Sequence, residues 1–160
     1  RGIFLNVAKA LNKEVLGPDY EITVADLEAA QKLAGVEIVE GDVVLIGTGW
    51  TKNWGDKDLF QGQSLGTPGI GEAAAKWLAA KKPRACGGET IAFEHIPAGA
   101  GHRELPVHRV FLVESGIHII ETMKLDELAD TGVSEFLFVL TPLNLQGATG
   151  SPTRPLAVLV

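Results

Sequence analysis

The stretch Gly41-Asp42-Val43-Val44-Leu45-Ile46-Gly47-Thr48-Gly49-Trp50 decides the fold class. Four consecutive β-branched or large apolar residues, closed off by glycine and charge, have the composition of a short buried strand. Working outward, Thr23-Val24-Ala25-Asp26 sets a hydroxyl and a carboxylate three residues apart. That is a capping box, and Gly35 stops the helix it opens. Further strand candidates are Ile3 to Val7, Val110 to Val113, Ile117 to Ile120, Phe136 to Leu140 and Leu156 to Val160. Pro68-Gly69 leads into a second helix, Ile70 to Lys81, whose Ala73, Ala74, Trp77 and Leu78 recur at helical spacing; a third, short one spans Leu125 to Ala129. Strands and helices mix without strict alternation. The expectation is therefore an α/β fold over residues 1–160, a single domain with a mixed β-sheet core and flanking helices.

Composition narrows the function. The 160 residues are 46% hydrophobic and 21% charged, which excludes a disordered chain, a collagen-like repeat and a disulfide scaffold. Twenty acidic residues against fourteen basic give a net charge of -6, so no basic surface is offered to phosphate backbones and no nucleic acid partner is expected. Cys86 is the one cysteine; it reads as a small buried thiol on a core strand and suits a reducing compartment. No apolar run reaches the roughly 18 residues a bilayer requires, and no leader pattern opens the sequence, so a soluble, cytoplasmic protein without a membrane partner is expected. The sequence opens inside one strand-like run and closes inside another, which predicts a piece of a longer chain, incomplete at its N-terminus.

Three motifs invite chemistry and have plainer readings. Gly62-Gln63-Ser64-Leu65-Gly66 matches the nucleophile-elbow pattern, in which a serine is exposed on a strained strand-to-helix turn. Asp56 to Phe60 is no buried strand and Thr67-Pro68-Gly69 intervenes before the next helix, so a flexible loop is the plainer reading; a serine hydrolase using Ser64 stands as an alternative. Gly69-Ile70-Gly71-Glu72-Ala73-Ala74 matches a dinucleotide fingerprint, but a proline loop leads into it, which reads as a glycine-rich helix start. Gly147 to Gly150, with Arg154 beyond, is either a backbone nest for an anion or a structural turn. The whole of Thr48 to Gly71 reads as a long loop at a strand end, carrying Trp50 and Trp54.

The segment His102 to Glu121 is the richest in chemistry. Two apolar runs flank Ser115-Gly116, a plausible two-residue hairpin turn. In that register His108 and Glu121 share one face as diagonal neighbours, about 7 to 8 Å apart at Cα, and His118 faces the other way. A slip of one residue reverses the assignment. An imidazole and a carboxylate that converge suit zinc or manganese, although a surface hydrogen-bonded pair is the commoner meaning and two ligands fall short of the three a catalytic zinc needs.

Beyond single motifs, an ordered series resembles the cyclase family of metal-dependent hydrolases, the group of bacterial kynurenine formamidase and isatin hydrolase. It comprises Arg1-Gly2-Ile3-Phe4-Leu5-Asn6-Val7-Ala8, the Gly41 to Trp50 stretch, Pro68-Gly69-Ile70 before a helix ending Trp77-Leu78, and Gly88-Glu89-Thr90. It continues with His108, Gly116-Ile117, Glu121, Leu125-Asp126-Glu127-Leu128 and Gly150-Ser151-Pro152-Thr153-Arg154-Pro155. The resemblance implies a swivelling β/β/α-like fold and hydrolysis of a small cyclic or aryl amide or ester with one or two divalent metals, zinc or manganese. It maps a second-site histidine and glutamate onto His108 and Glu121, with His102 as the alternative ligand, puts Glu89 where many relatives carry aspartate, and makes Trp50 a wall of the substrate pocket. The family's N-terminal H-x-G-T-H-x-D-x-P-x-H motif is absent: His95, His102, His108 and His118 all lie in the second half. The catalytic residue is thus unassigned, and a separate or removed N-terminal segment is expected to supply further ligands. Small-molecule substrates and a homo-oligomer are implied as well. The reading from another class is a non-catalytic binding domain or inactive remnant.

Overall fold

The computed structural model describes residues 1–159, so the predicted strand end at Val160 lies outside the described residues. β1 (Gly2–Asn6) runs straight into a one-turn helix, α1 (Val7–Ala10), whose Lys9 amide donates to the Asn6 side chain. β2 (Glu21–Ile22) precedes α2 (Val24–Ala34). The Thr23–Asp26 capping box forms as read, and Gly35 ends the helix at φ +68°, a conformation that glycine adopts without a Cβ penalty. β3 (Val43–Gly47) follows.

The segment 48–71 is not one long loop. It holds a 3₁₀ turn (Trp50–Asn53), then α3 (Lys57–Gln61), capped by Asp56, and β4 (Gly69–Ile70). α4 (Glu72–Ala79) is shorter than the predicted Ile70 to Lys81, because Gly69 and Ile70 are taken up by pairing with β2. β5 (Ala85–Gly88) is the core strand that the reading of Cys86 as a buried thiol implies; no apolar run marks its bounds, since Ala-Cys-Gly-Gly carries no β-branched residue, yet all four positions are buried.

The predicted hairpin is absent. α5 (Pro106–His108) starts with proline in its first turn and continues without a break as a π-helical stretch, Arg109–Ser115, closed by Gly116 at φ +65°. Val107, Val110 and Phe111 are buried at helical spacing, while Leu112 and Val113 face outward. A continuous apolar run does not separate a buried strand from a helix, and here Leu105-Pro106 was the overlooked start signal. β6 (His118–Ile120), α6 (Asp126–Thr131), β7 (Glu135–Val139) and β8 (Leu156–Val158) complete the fold, close to their predicted positions.

Six strands form one mixed sheet in the order β6-β5-β3-β1-β7-β8. β6, β5, β3 and β1 are mutually parallel, and β7 and β8 are antiparallel additions. The larger core packs Ile3, Leu5, Val44, Ile46 and Cys86 under α2, α4 and the 106–115 helix. The opposite face buries a smaller group around Phe4, Leu45, Met123, Leu125 and Phe136. Among the described residues no helix is long and apolar enough to cross a membrane.

Candidate functional site

Because four strands run parallel, the residues just past their ends gather along one edge. Asn6 ends β1, and Thr48, Glu89 and Glu121 follow β3, β5 and β6, in that spatial order. Ligand sites of open α/β sheets lie outside the carboxyl ends of their strands, so this edge is where chemistry is expected.

His108 reaches the edge from the helix that begins at Pro106. Its Nε2 lies 3.2 Å from Glu121 Oε1, so the structure brings together the two residues singled out in sequence, although by a helix against a strand end. Its Nδ1 lies 2.5 Å from Glu94 Oε1. Glu94 is fully buried, and its carboxylate also accepts the backbone N–H groups of Val107 at 3.0 Å and His108 at 3.1 Å, in the first turn of the helix. Burying a carboxylate is costly unless such donors compensate it, and the positive end of a helix is a favourable place for it. Hydrogen bonds to Glu121 and Glu94 push the imidazolium pKa of His108 up to about 9, against the opposing effect of burial. Sequence reading passed over Glu94, since it lies in no motif. The signal for it was Gly69: a Cβ there would sit 2.2 Å from the Glu94 carbonyl carbon, so this glycine admits the Glu94 backbone and has nothing to do with dinucleotides.

Glu89 makes a second buried centre. Its Oε2 accepts from the Thr48 amide at 2.5 Å, the Thr48 hydroxyl at 2.7 Å and the Gly49 amide at 2.7 Å, and its Oε1 accepts from the Thr51 hydroxyl at 2.8 Å. The carboxylate thereby ties the end of β5 to the turn after β3. Trp50, on that turn, is 1% exposed and its indole N–H donates to the Phe60 carbonyl at 3.0 Å. It is a buried anchor that presents almost no surface, which corrects the expectation of a pocket wall; Trp54 is the exposed tryptophan of this region, edge-on to Phe60. A cavity of about 370 Å³ opens beside Glu89 over the ends of β1 and β3, with Phe4, Leu125, Lys9, Lys52 and Asp126 among its lining residues.

The remaining sequence candidates stand apart. His102 is exposed in the turn before α5, and His118 is exposed on β6. His95 pairs with Asp19 at 2.8 Å. Ser64 is exposed in the turn that follows α3, without the strand-to-helix setting its motif requires. Gly147 and Gly150 lie in an exposed segment between β7 and β8.

Residues 1–95 match the cyclase family, described as "Putative cyclase". The chain belongs to the cyclase family. Over 158 residues it is 28% identical to isatin hydrolase of Roseibium aggregatum, covering 97% of this chain and 59% of that protein. Among solved structures, a novel cyclase superposes with a TM-score of 0.86 at 30% identity, covering 99% of this cyclase-family chain and 53% of the other. The structure of a potential metal-dependent hydrolase with cyclase activity gives a TM-score of 0.65 at 25% identity, covering 96% and 61%. The chain thus spans little more than half the length of the relatives it matches.

For a divalent cation the donors fit in kind, since imidazole nitrogen and carboxylate oxygen both serve zinc and manganese. In number they are short: among the described residues no group of three or more His, Cys, Asp or Glu is placed to hold an ion. This cyclase-family chain offers two donors side by side, His108 Nε2 and the Glu121 carboxylate.

Proposed function

We propose that this chain is part of a metal-dependent hydrolase that cleaves a small cyclic or aryl amide or ester, with His108 and Glu121 as two of the ligands to a zinc or manganese ion. The single observation behind this reading is that His108 faces a carboxylate on each ring nitrogen. A neutral imidazole carries one N–H, so it can satisfy one carboxylate and turns a lone pair on the other. A second ring proton meets Glu121 in the metal-free site; in this reading a divalent cation takes its place between Nε2 and Glu121 and offsets the negative charges of Glu94 and Glu121. When bound, such an ion brings the pKa of a water toward about 7 and polarises the scissile carbonyl.

The chain's own residues have the following parts in this reading. His108 and Glu121 hold the cation at the sheet edge. Glu89 keeps the turn after β3 in place beside the cavity, where Phe4 and Leu125 supply an apolar wall and Lys9 suits a developing carboxylate, Lys52 being paired with Glu14. The other ligands come from the length that the relatives have and this chain does not span. Kinship with isatin hydrolase supports a cyclic amide as substrate, and the working form in this reading is a cytoplasmic homo-oligomer.

The test is elemental analysis and turnover of the intact protein with His108→Ala and Glu121→Ala. Each variant should lose bound metal and activity together, by more than the roughly 10–100-fold that outer residues of metal sites contribute. Full activity in both would end the proposal, and activity that survives a chelator but not Ser64→Ala would favour the serine alternative.

A further inference from the structure

We infer that Glu94 is the positioning residue of this site: it locks the His108 ring in one orientation and one tautomer, with the proton on Nδ1 and Nε2 turned toward Glu121. The inference rests on the His108–Glu121 reading above for its function, but not for its geometry. Each group bonded to the Glu94 carboxylate is an N–H: those of Val107 and His108 on the backbone and Nδ1 of the His108 ring, at 3.0, 3.1 and 2.5 Å. A carboxylate only accepts, so Nδ1, held at 2.5 Å from the buried Glu94, carries hydrogen; Nε2, at 3.2 Å from the partly exposed Glu121, is the nitrogen that gives up its proton when a cation binds there. The backbone and side-chain donors of one residue, His108, meet the same oxygen, Oε1, so the backbone bond fixes the acceptor and rotation of the ring would forfeit the Nδ1 bond to it.

The stem of Glu94 is held as firmly as its tip. Its backbone bridges to Ile70, the His95 amide donates to the Ile70 carbonyl at 3.1 Å, and Gly69 leaves no room for a Cβ against it. A histidine that binds metal through one nitrogen is generally oriented by an acceptor on the other, and loss of that acceptor weakens binding by about 10–100-fold.

The test is NMR of the intact protein loaded with cadmium-113, with nitrogen-15 in the histidine rings. In the unaltered protein the cadmium coupling should fall on His108 Nε2, and Nδ1 should keep its proton. In Glu94→Gln, whose amide cannot accept from all three donors, cadmium affinity should drop about 10–100-fold and the choice of nitrogen should be lost, while Glu94→Asp should retain part of both. Circular dichroism reports whether each variant folds; the measurement on the unaltered protein decides even if neither does. Coupling to Nδ1, or unchanged affinity and tautomer in folded Glu94→Gln, would overturn the inference. If cadmium couples to neither nitrogen, the metal reading fails instead, and the Nδ1 proton then judges Glu94: slow solvent exchange that is lost in folded Glu94→Gln supports the inference and exchange unchanged by that substitution refutes it.

Discussion

His108 lies between Glu94 and Glu121, and without a metal the arrangement favours the imidazolium. Its pKa rises from the ordinary 6.5 to about 9 through its hydrogen bonds to Glu121 and then to Glu94. A group whose folded pKa is raised stabilises the fold fully below its unfolded value and loses that contribution as pH climbs through the folded one. Metal-free protein should therefore hold a stability margin over His108→Ala that is complete below pH 6.5 and shrinks toward pH 9. Urea unfolding of both proteins across that range measures it, and a pH-independent margin would contradict the assignment. At this scale the sequence showed the pair His108 and Glu121, because their residue types announce ligand chemistry. It concealed Glu94, whose meaning depends on a contact fourteen residues along the chain, and it misplaced Trp50, whose burial depends on Phe60.

The helix from Pro106 to Ser115 is the element on which the site turns. Its phase can be tested by substitution, since a strand would bury alternate residues, whereas the helix buries Phe111 completely and leaves Val113 80% exposed. Phe111→Ala should cost about 3–5 kcal/mol of unfolding free energy. Val113→Ala should stay within about 0.5 kcal/mol. Comparable losses at both positions would favour the hairpin. Elements with strong local signals were legible beforehand: the Thr23–Asp26 box and Gly35 bound α2 as read, and β1, β3, β6 and β7 grew from β-branched or aromatic runs. Where local signal and burial part company the pattern of apolar runs is a poor guide, and at Ala85–Gly88 only the lone Cys86 points to a core strand. Ala85–Gly88 is a strand because Leu45 and Ile119 flank it in the sheet, not because its own residues favour extension. The apolar 110–113 run is a helix because proline and glycine punctuate it.

Across the whole molecule, the sheet ends unevenly. Leu137 and Val139 of β7 pair with Val158 and Leu156 of β8, so these four aliphatic side chains share one face, and each is at least 36% exposed. An apolar edge strand without charge or proline is a template for further pairing. The chain by itself should therefore self-associate with rising concentration in sedimentation velocity, and Leu156→Lys with Val158→Lys should suppress this; a concentration-independent monomer would refute it. The mixed sheet was foreseeable from the element pattern, whereas its strand order was not, since order follows from which faces the helices cover. Glu94 bears on how this fold diversifies. One side chain begins a helix and aims a ring, so drift at position 94 is penalised twice, and diverging lineages should accumulate their changes first around the cavity beside Glu89, where a lining residue answers to fewer demands.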